Sequence, residues 1–136
     1  MATIAKPMYI ADTIALARYL EDNLPKKADE VFENAETGTA TILVPDIAIA
    51  EFIYITLKGR LKVQDPKATI RELLEDLQSS RFLQPIGASS ATWHAFIASK
   101  VPELHDRLIH STAVANEANA IITNDTEIAS AYKTVW

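Results

Sequence analysis

Four acidic residues carry the chemistry this sequence suggests: Asp12, Glu51, Asp106 and Asp125, each in or near a segment rich in apolar residues. Suppose they converge in the folded chain. Two carboxylates about 5 Å apart repel by roughly 3 kcal/mol at an effective dielectric near 20. Four together stay ionised only with a counter-charge, so either some take up protons or a divalent cation sits among them. Oxygen donors without cysteine favour magnesium or manganese over zinc. Magnesium uses one or two protein carboxylates and keeps several waters, which leaves the other acids to orient and deprotonate a water or to hold a second ion. That arrangement suits hydrolysis of a phosphodiester, because the ion polarises the phosphoryl oxygen and lowers the pKa of its water.

Each acid also has a plainer reading. Asp12, Asp46 and Asp125 fall at strand-to-helix junctions, where Asp is a favoured N-cap. Glu51 lies inside Ile47–Ile55, apolar on every side. A helix apolar all round is buried, and a lone carboxylate there costs several kcal/mol unless an Arg pairs with it or a proton neutralises it. Asp106 falls in a first helical turn, where the dipole favours it. Asp46 is read as a cap outside the acidic set, and Glu127 as solvent-facing. His105 and His110 flank Asp106; His110 is expected to bond locally or face the core. No Ser/His/Asp order, Gly-rich phosphate loop or H-E-x-x-H motif supports another hydrolase class.

The elements that must position these residues follow from periodicity. Met8–Ala11 reads as a short buried strand, followed at Asp12 by a helix of period 3.6 through Ile14, Leu16, Ala17 and Leu20. A polar helix after Pro25 stops near Gly38. Thr41–Val44 is a strand, and Pro45-Asp46 begins a helix reaching about Gly59. Pro66 opens another, with Ile70, Leu73, Leu74 and Leu77 on one stripe. Phe82–Ile86 is a strand, Ser90 begins a helix ending before Pro102, and a further helix runs from about Pro102 to Asn116. Ala120–Thr123 is a strand, Asp125–Tyr132 a helix and Thr134–Trp136 a last strand. Alternating helices and continuous apolar strands predict an α/β fold with a parallel sheet covered on both faces. Ligands of such sheets bind beyond the carboxyl ends of the strands, where Asp12, Asp46 and Asp125 fall.

At 136 residues, the chain is expected to form one domain over residues 1–136. It has no cysteine, hence no disulfide or Cys-ligated metal. No apolar run approaches the roughly 18–20 residues of a membrane span, and Asp12 interrupts any leader-like core, so a soluble cytoplasmic protein with no membrane partner is expected. The net charge of −5 excludes a broad nucleic-acid coat. Lys58, Arg60, Lys62, Lys67 and Arg71 nonetheless stand against Asp65 alone, a basic segment that suits either a solvated face or guidance of a polyanion.

Met8–Thr13, Val44–Phe52, His105–Ala113 and Ile121–Asp125 together resemble the four acidic motifs of PIN-domain ribonucleases, most closely the VapC-like toxins of toxin–antitoxin pairs. The motifs occur in order across essentially the whole chain. The resemblance implies a three-layer α/β/α fold with a central, mainly parallel sheet and magnesium- or manganese-dependent cleavage of RNA. Carried over, Asp12 and Asp106 are the principal metal ligands and Glu51 and Asp125 complete the catalytic cluster. Thr13 and Asn124 are supporting polar residues, and Thr123 is structural. Lys58, Arg60 and Lys62, beyond the Glu51 helix, are candidates for guiding RNA. A small antitoxin protein and a homodimer through Ile53–Leu57 and Ile70–Leu77 are implied as partners. Two competing readings remain: a catalytically silent PIN-like module whose acids bind a partner's Arg, and a phosphoryl-receiver domain. The second lacks an acid beside Asp12 and has Asp125 where a receiver needs Lys.

Overall fold

The computed structural model describes residues 5–79 and 82–136. The apolar runs form strands β1 (Met8–Ala11), β2 (Thr41–Pro45), β3 (Leu83–Ile86), β4 (Ala120–Ile122) and β5 (Thr134–Val135). Ile10, Ala11, Ile42, Val44, Leu83, Ile121 and Ile122 are fully buried, which is why these runs lack the apolar–polar alternation of a half-exposed sheet. All pairings are parallel, in the order β3-β2-β1-β4-β5. In this register Ala11 stands beside Ile122, so the next residues, Asp12 and Thr123, leave the carboxyl edge of the sheet side by side.

Among the described residues seven helices connect these strands: α1 (Thr13–Leu20), α2 (Lys26–Glu36), α3 (Asp46–Leu57), α4 (Pro66–Ser79), α5 (Ser90–Ala98), α6 (Leu104–Ala115) and α7 (Thr126–Ala131). The expected three-layer α/β/α arrangement is the one observed. Helix α3 packs on α1 and α4, while α6 packs on α5 and α7. Phe32, Phe52, Leu16, Leu73 and Ile109 fill the space between helices and sheet. Truncating a buried aromatic such as Phe52 to Ala is expected to cost about 3–5 kcal/mol.

Helix boundaries have local causes. The chain leaves α2 through Gly38 at φ 85°, a left-handed conformation that glycine adopts without steric penalty. Ser89 and Thr92 form a reciprocal capping box at the start of α5. Helix α6 begins at Leu104, two residues later than the sequence suggests, because Glu103 caps it by accepting the Asp106 amide at 2.8 Å.

Three expectations are corrected. Asp46 is not an N-cap: Pro45 holds that position, and Asp46 is an exposed first-turn residue of α3. Helix α3 is not buried all round. Only Ala48, Phe52 and Thr56 are fully buried, while Tyr54 and Leu57 are exposed, so uniform apolarity here marks an open face rather than a core helix. Leu74 likewise faces outward, leaving Leu73 and Leu77 as the buried part of the α4 stripe. His110 does lie in the interior, with Nδ1 2.7 Å from Ser99 Oγ.

Candidate functional site

Four chain segments meet beyond the carboxyl edge of β1 and β4. Asp12, Thr13, Glu51, Asp106, Asn124 and Asp125 line one cleft of about 190 Å³, with Ile14 and Ile109 as its apolar wall. The structure thus brings together all four acids and both supporting polar residues. Asp46 and Glu127 lie outside this lining.

The cap reading and the cleft reading of the aspartates hold together. Asp12 Oδ1 accepts the Ala15 amide at 2.9 Å and caps α1, and Asp125 Oδ1 accepts the Ile128 amide at 2.8 Å and caps α7. Each cap fixes one carboxylate oxygen at a helix N-terminus. The Thr123 hydroxyl, fully buried, accepts the Asp125 amide at 3.0 Å and hydrogen-bonds the Asp12 carboxyl. It is an element of the site that the sequence reading took as structural only. The signal was a polar residue closing an otherwise wholly apolar strand.

Asp12 is only 7% exposed. Burial pushes its pKa up to about 7; the hydrogen bonds from Thr123 and Ala15 oppose that rise, and the charges of Asp106 and Asp125 add to it. Asp106 is raised to about 6, first by burial and then by the charge of Asp125, with which it is close enough to share a proton. The α6 dipole, which favours an ionised first-turn Asp, is outweighed. Glu51 reaches the cleft from the second turn of α3, its side chain 32% exposed. Its partner is neither an Arg nor a second acid but His105, whose Nδ1 is 3.3 Å from Oε2.

The basic candidates are placed differently from one another. Arg60 lines a groove that adjoins the cleft through Glu51 and also holds Tyr54 and His105. Lys58 sits over the Tyr54 ring, 5.4 Å from its centroid. Lys62 is exposed, its amide donating to Glu21 Oε2 at 2.8 Å on the α1 side.

The donor set fits a hard divalent cation. Oxygen ligands alone converge here, and two of the acids are held less acidic than normal by burial and mutual charge, a penalty that a cation would relieve. Among the described residues no three acidic or histidine side chains form a ready-made ion cage. Magnesium, which binds through one or two carboxylates and keeps its waters, does not require one.

The whole of this scaffold, residues 9–134, matches the PIN domain. The chain belongs to the PIN-domain family. This PIN domain is similar in fold to a chain of VapBC2 from Rickettsia felis, crystallised with a DNA fragment from their promoter, at 19% identity and a TM-score of 0.70 over 93% of this chain and 96% of that one. It is also similar to FitAcB from Neisseria gonorrhoeae, at 16% identity and a TM-score of 0.58 over 93% and 96% of the two chains. A VapC toxin of Mycobacterium tuberculosis, described as cleaving the sarcin–ricin loop, matches at 11% identity and a TM-score of 0.60 over 90% and 94%. These are likenesses of fold. No curated protein matches this PIN domain significantly.

Proposed function

We propose that this PIN domain is a magnesium- or manganese-dependent endoribonuclease, the toxin of a toxin–antitoxin pair. One observation carries the reading: four carboxylates from four separate chain segments line one cleft at the carboxyl edge of a parallel sheet. Asp12 and Asp106 would hold the ion, with Glu51 and Asp125 completing the set. The bound ion supplies charge neutralisation at the scissile phosphate and acidifies a water.

The chain's own groups do the rest. The caps and Thr123 hold Asp12 and Asp125 in fixed orientations, so little reorganisation accompanies substrate binding. Glu51, kept in place by His105, takes the proton of the attacking water. Thr13 and Asn124 donate hydrogen bonds at the cleft rim, and Arg60, with Lys58 and Lys62, draws the RNA backbone toward it.

A small antitoxin protein is the proposed partner, supported by the fold shared with VapBC and FitAcB chains. The protein acts as a cytoplasmic single domain over residues 1–136 and pairs with a second copy through the outer side of α4, where Leu74 is exposed. In magnesium, Asp12→Asn and Asp106→Asn are expected to lower RNA cleavage at least a hundredfold while still unfolding in one cooperative transition. Full cleavage by either purified variant would remove the proposed role of that residue.

A further inference from the structure

Helix α3 carries two features on one side that the acidic cleft does not use. Tyr54 follows Glu51 by three residues, so the two side chains are neighbours on the helix surface, with Cβ atoms about 5–6 Å apart. Tyr54 is 59% exposed, a large aromatic whose ring is met by Lys58 and otherwise open to solvent on the helix surface. It lines a groove of about 500 Å³ together with Ile47, Ala50, Glu51, Arg60 and His105. That size lies within the usual range for ligand pockets. The groove is mostly apolar along α3, and its lining includes the Glu51 carboxylate, which it shares with the cleft, and the Arg60 guanidinium. Among the described residues Arg60 has no acidic partner.

We propose that this groove is a nucleotide subsite in which an unpaired base of the substrate stacks on Tyr54 and the adjoining phosphate is met by Arg60. The proposal rests on the ribonuclease reading and adds to it the two residues that would hold one nucleotide beside the cleft. Three observations favour a nucleotide over an apolar occupant. The groove and the cleft share Glu51 in their linings, so a strand lying in the groove runs beside the acids. Arg60 gives it a cation that can meet a backbone phosphate. Lys58 lies over the Tyr54 ring, which adds a second cation beside the stacking platform. An aromatic face flanked by cations is the combination that single-strand binders use, because every base has a face to stack while only the backbone carries charge. A duplex cannot offer an unstacked base to Tyr54.

The test measures binding without cleavage, using the full chain in a chelator and a short unstructured RNA oligonucleotide scanned with single abasic nucleotides. Tyr54→Ala is expected to weaken binding about tenfold, in line with what stacking one base contributes, and Tyr54→Phe to bind as the wild type does. One abasic position should weaken wild-type binding by the same factor and leave Tyr54→Ala unaffected, since both remove the same contact. Arg60→Gln should lower affinity and reduce the salt dependence by about one phosphate. Equal affinity of Tyr54→Ala and wild type overturns the subsite. So does a loss in Tyr54→Ala that coincides with halved mass in sedimentation, which would assign this face to a second copy. If the wild type cleaves RNA but Tyr54→Ala binds normally, the subsite alone fails. If the wild type neither binds nor cleaves RNA, the ribonuclease reading fails with it.

Discussion

The hydroxyl of Thr123 joins Asp12 and Asp125: it hydrogen-bonds the Asp12 carboxyl and accepts the Asp125 amide at 3.0 Å. Two acids on adjacent chain segments are thereby oriented by one buried side chain at the end of β4. The parallel register makes this possible, since Ala11 beside Ile122 puts Asp12 beside Thr123.

Asp12 makes the folded protein pH-sensitive. Its pKa is about 7 in the fold against a usual 3.8, so between about pH 4 and pH 7 the folded state binds a proton that the unfolded state has lost. Stability therefore falls as pH rises through that window, and the deficit is complete above about pH 7. At about 1.4 kcal/mol per pH unit the ceiling is about 4 kcal/mol. Asp12→Asn keeps an oxygen for the Ala15 amide and removes the charge. Urea unfolding without divalent ions should find the variant about 2 kcal/mol more stable than wild type at pH 8 and equal to it near pH 4. Equal stability at pH 8 would show that the carboxylate is not strained.

Binding of a divalent cation should reverse that deficit. Magnesium or manganese is expected to raise the melting temperature of the wild type strongly at pH 8 and weakly at pH 5, because the cation competes with protons for Asp12 and Asp106. Calorimetry near pH 6 in two buffers of different ionisation enthalpy should detect proton release on binding, fading by pH 8.5. Stabilisation of the same size at both pH values would place the ion elsewhere.

His105 is placed to orient Glu51 and lies outside the lining of the acidic cleft. With Nδ1 3.3 Å from Glu51 Oε2, it restrains a carboxylate that otherwise sits on an open helix face. His105→Ala should lower the turnover number for RNA about tenfold with little change in KM or melting temperature, and Glu51→Gln should lower it further. A His105→Ala enzyme with unchanged turnover would leave Glu51 positioned by its helix alone.

The strands and the order of elements were legible because buried parallel strands are unbroken apolar runs between turn residues, as at Met8–Ala11 and Ala120–Ile122. Asp12 and Glu51 were legible because they end or interrupt an apolar run, and Asp106 and Asp125 because they stand in order beside apolar helix and strand segments. The face that α3 leaves open was not, since apolar residues on all sides look alike whether a neighbour covers them or none does. Tyr54 and Leu57 are exposed while Phe52 is buried, and only tertiary packing separates them. His105 was equally hidden, because its role depends on where α6 passes α3. The cap reading of Asp46 failed by one residue, as Pro45, with φ −63° and ψ 147°, already holds the junction.

Asp46 provides a control. It makes no cap and lies outside the acidic cleft, so Asp46→Ala should change unfolding free energy by less than about 1 kcal/mol, the scale of a first-turn dipole effect. Its cleavage rate should match that of the wild type. A large loss of cleavage would extend the functional surface along the first turn of α3.

Pairing of β1 with β4 joins residues 9–11 to residues 120–122, far apart along the chain. During synthesis Asp12 and Glu51 leave the ribosome long before Asp106 and Asp125 exist. A chain made only as far as α5 therefore has no complete cleft, and the proposed ribonuclease would stay harmless to its own message until residue 125 has been added.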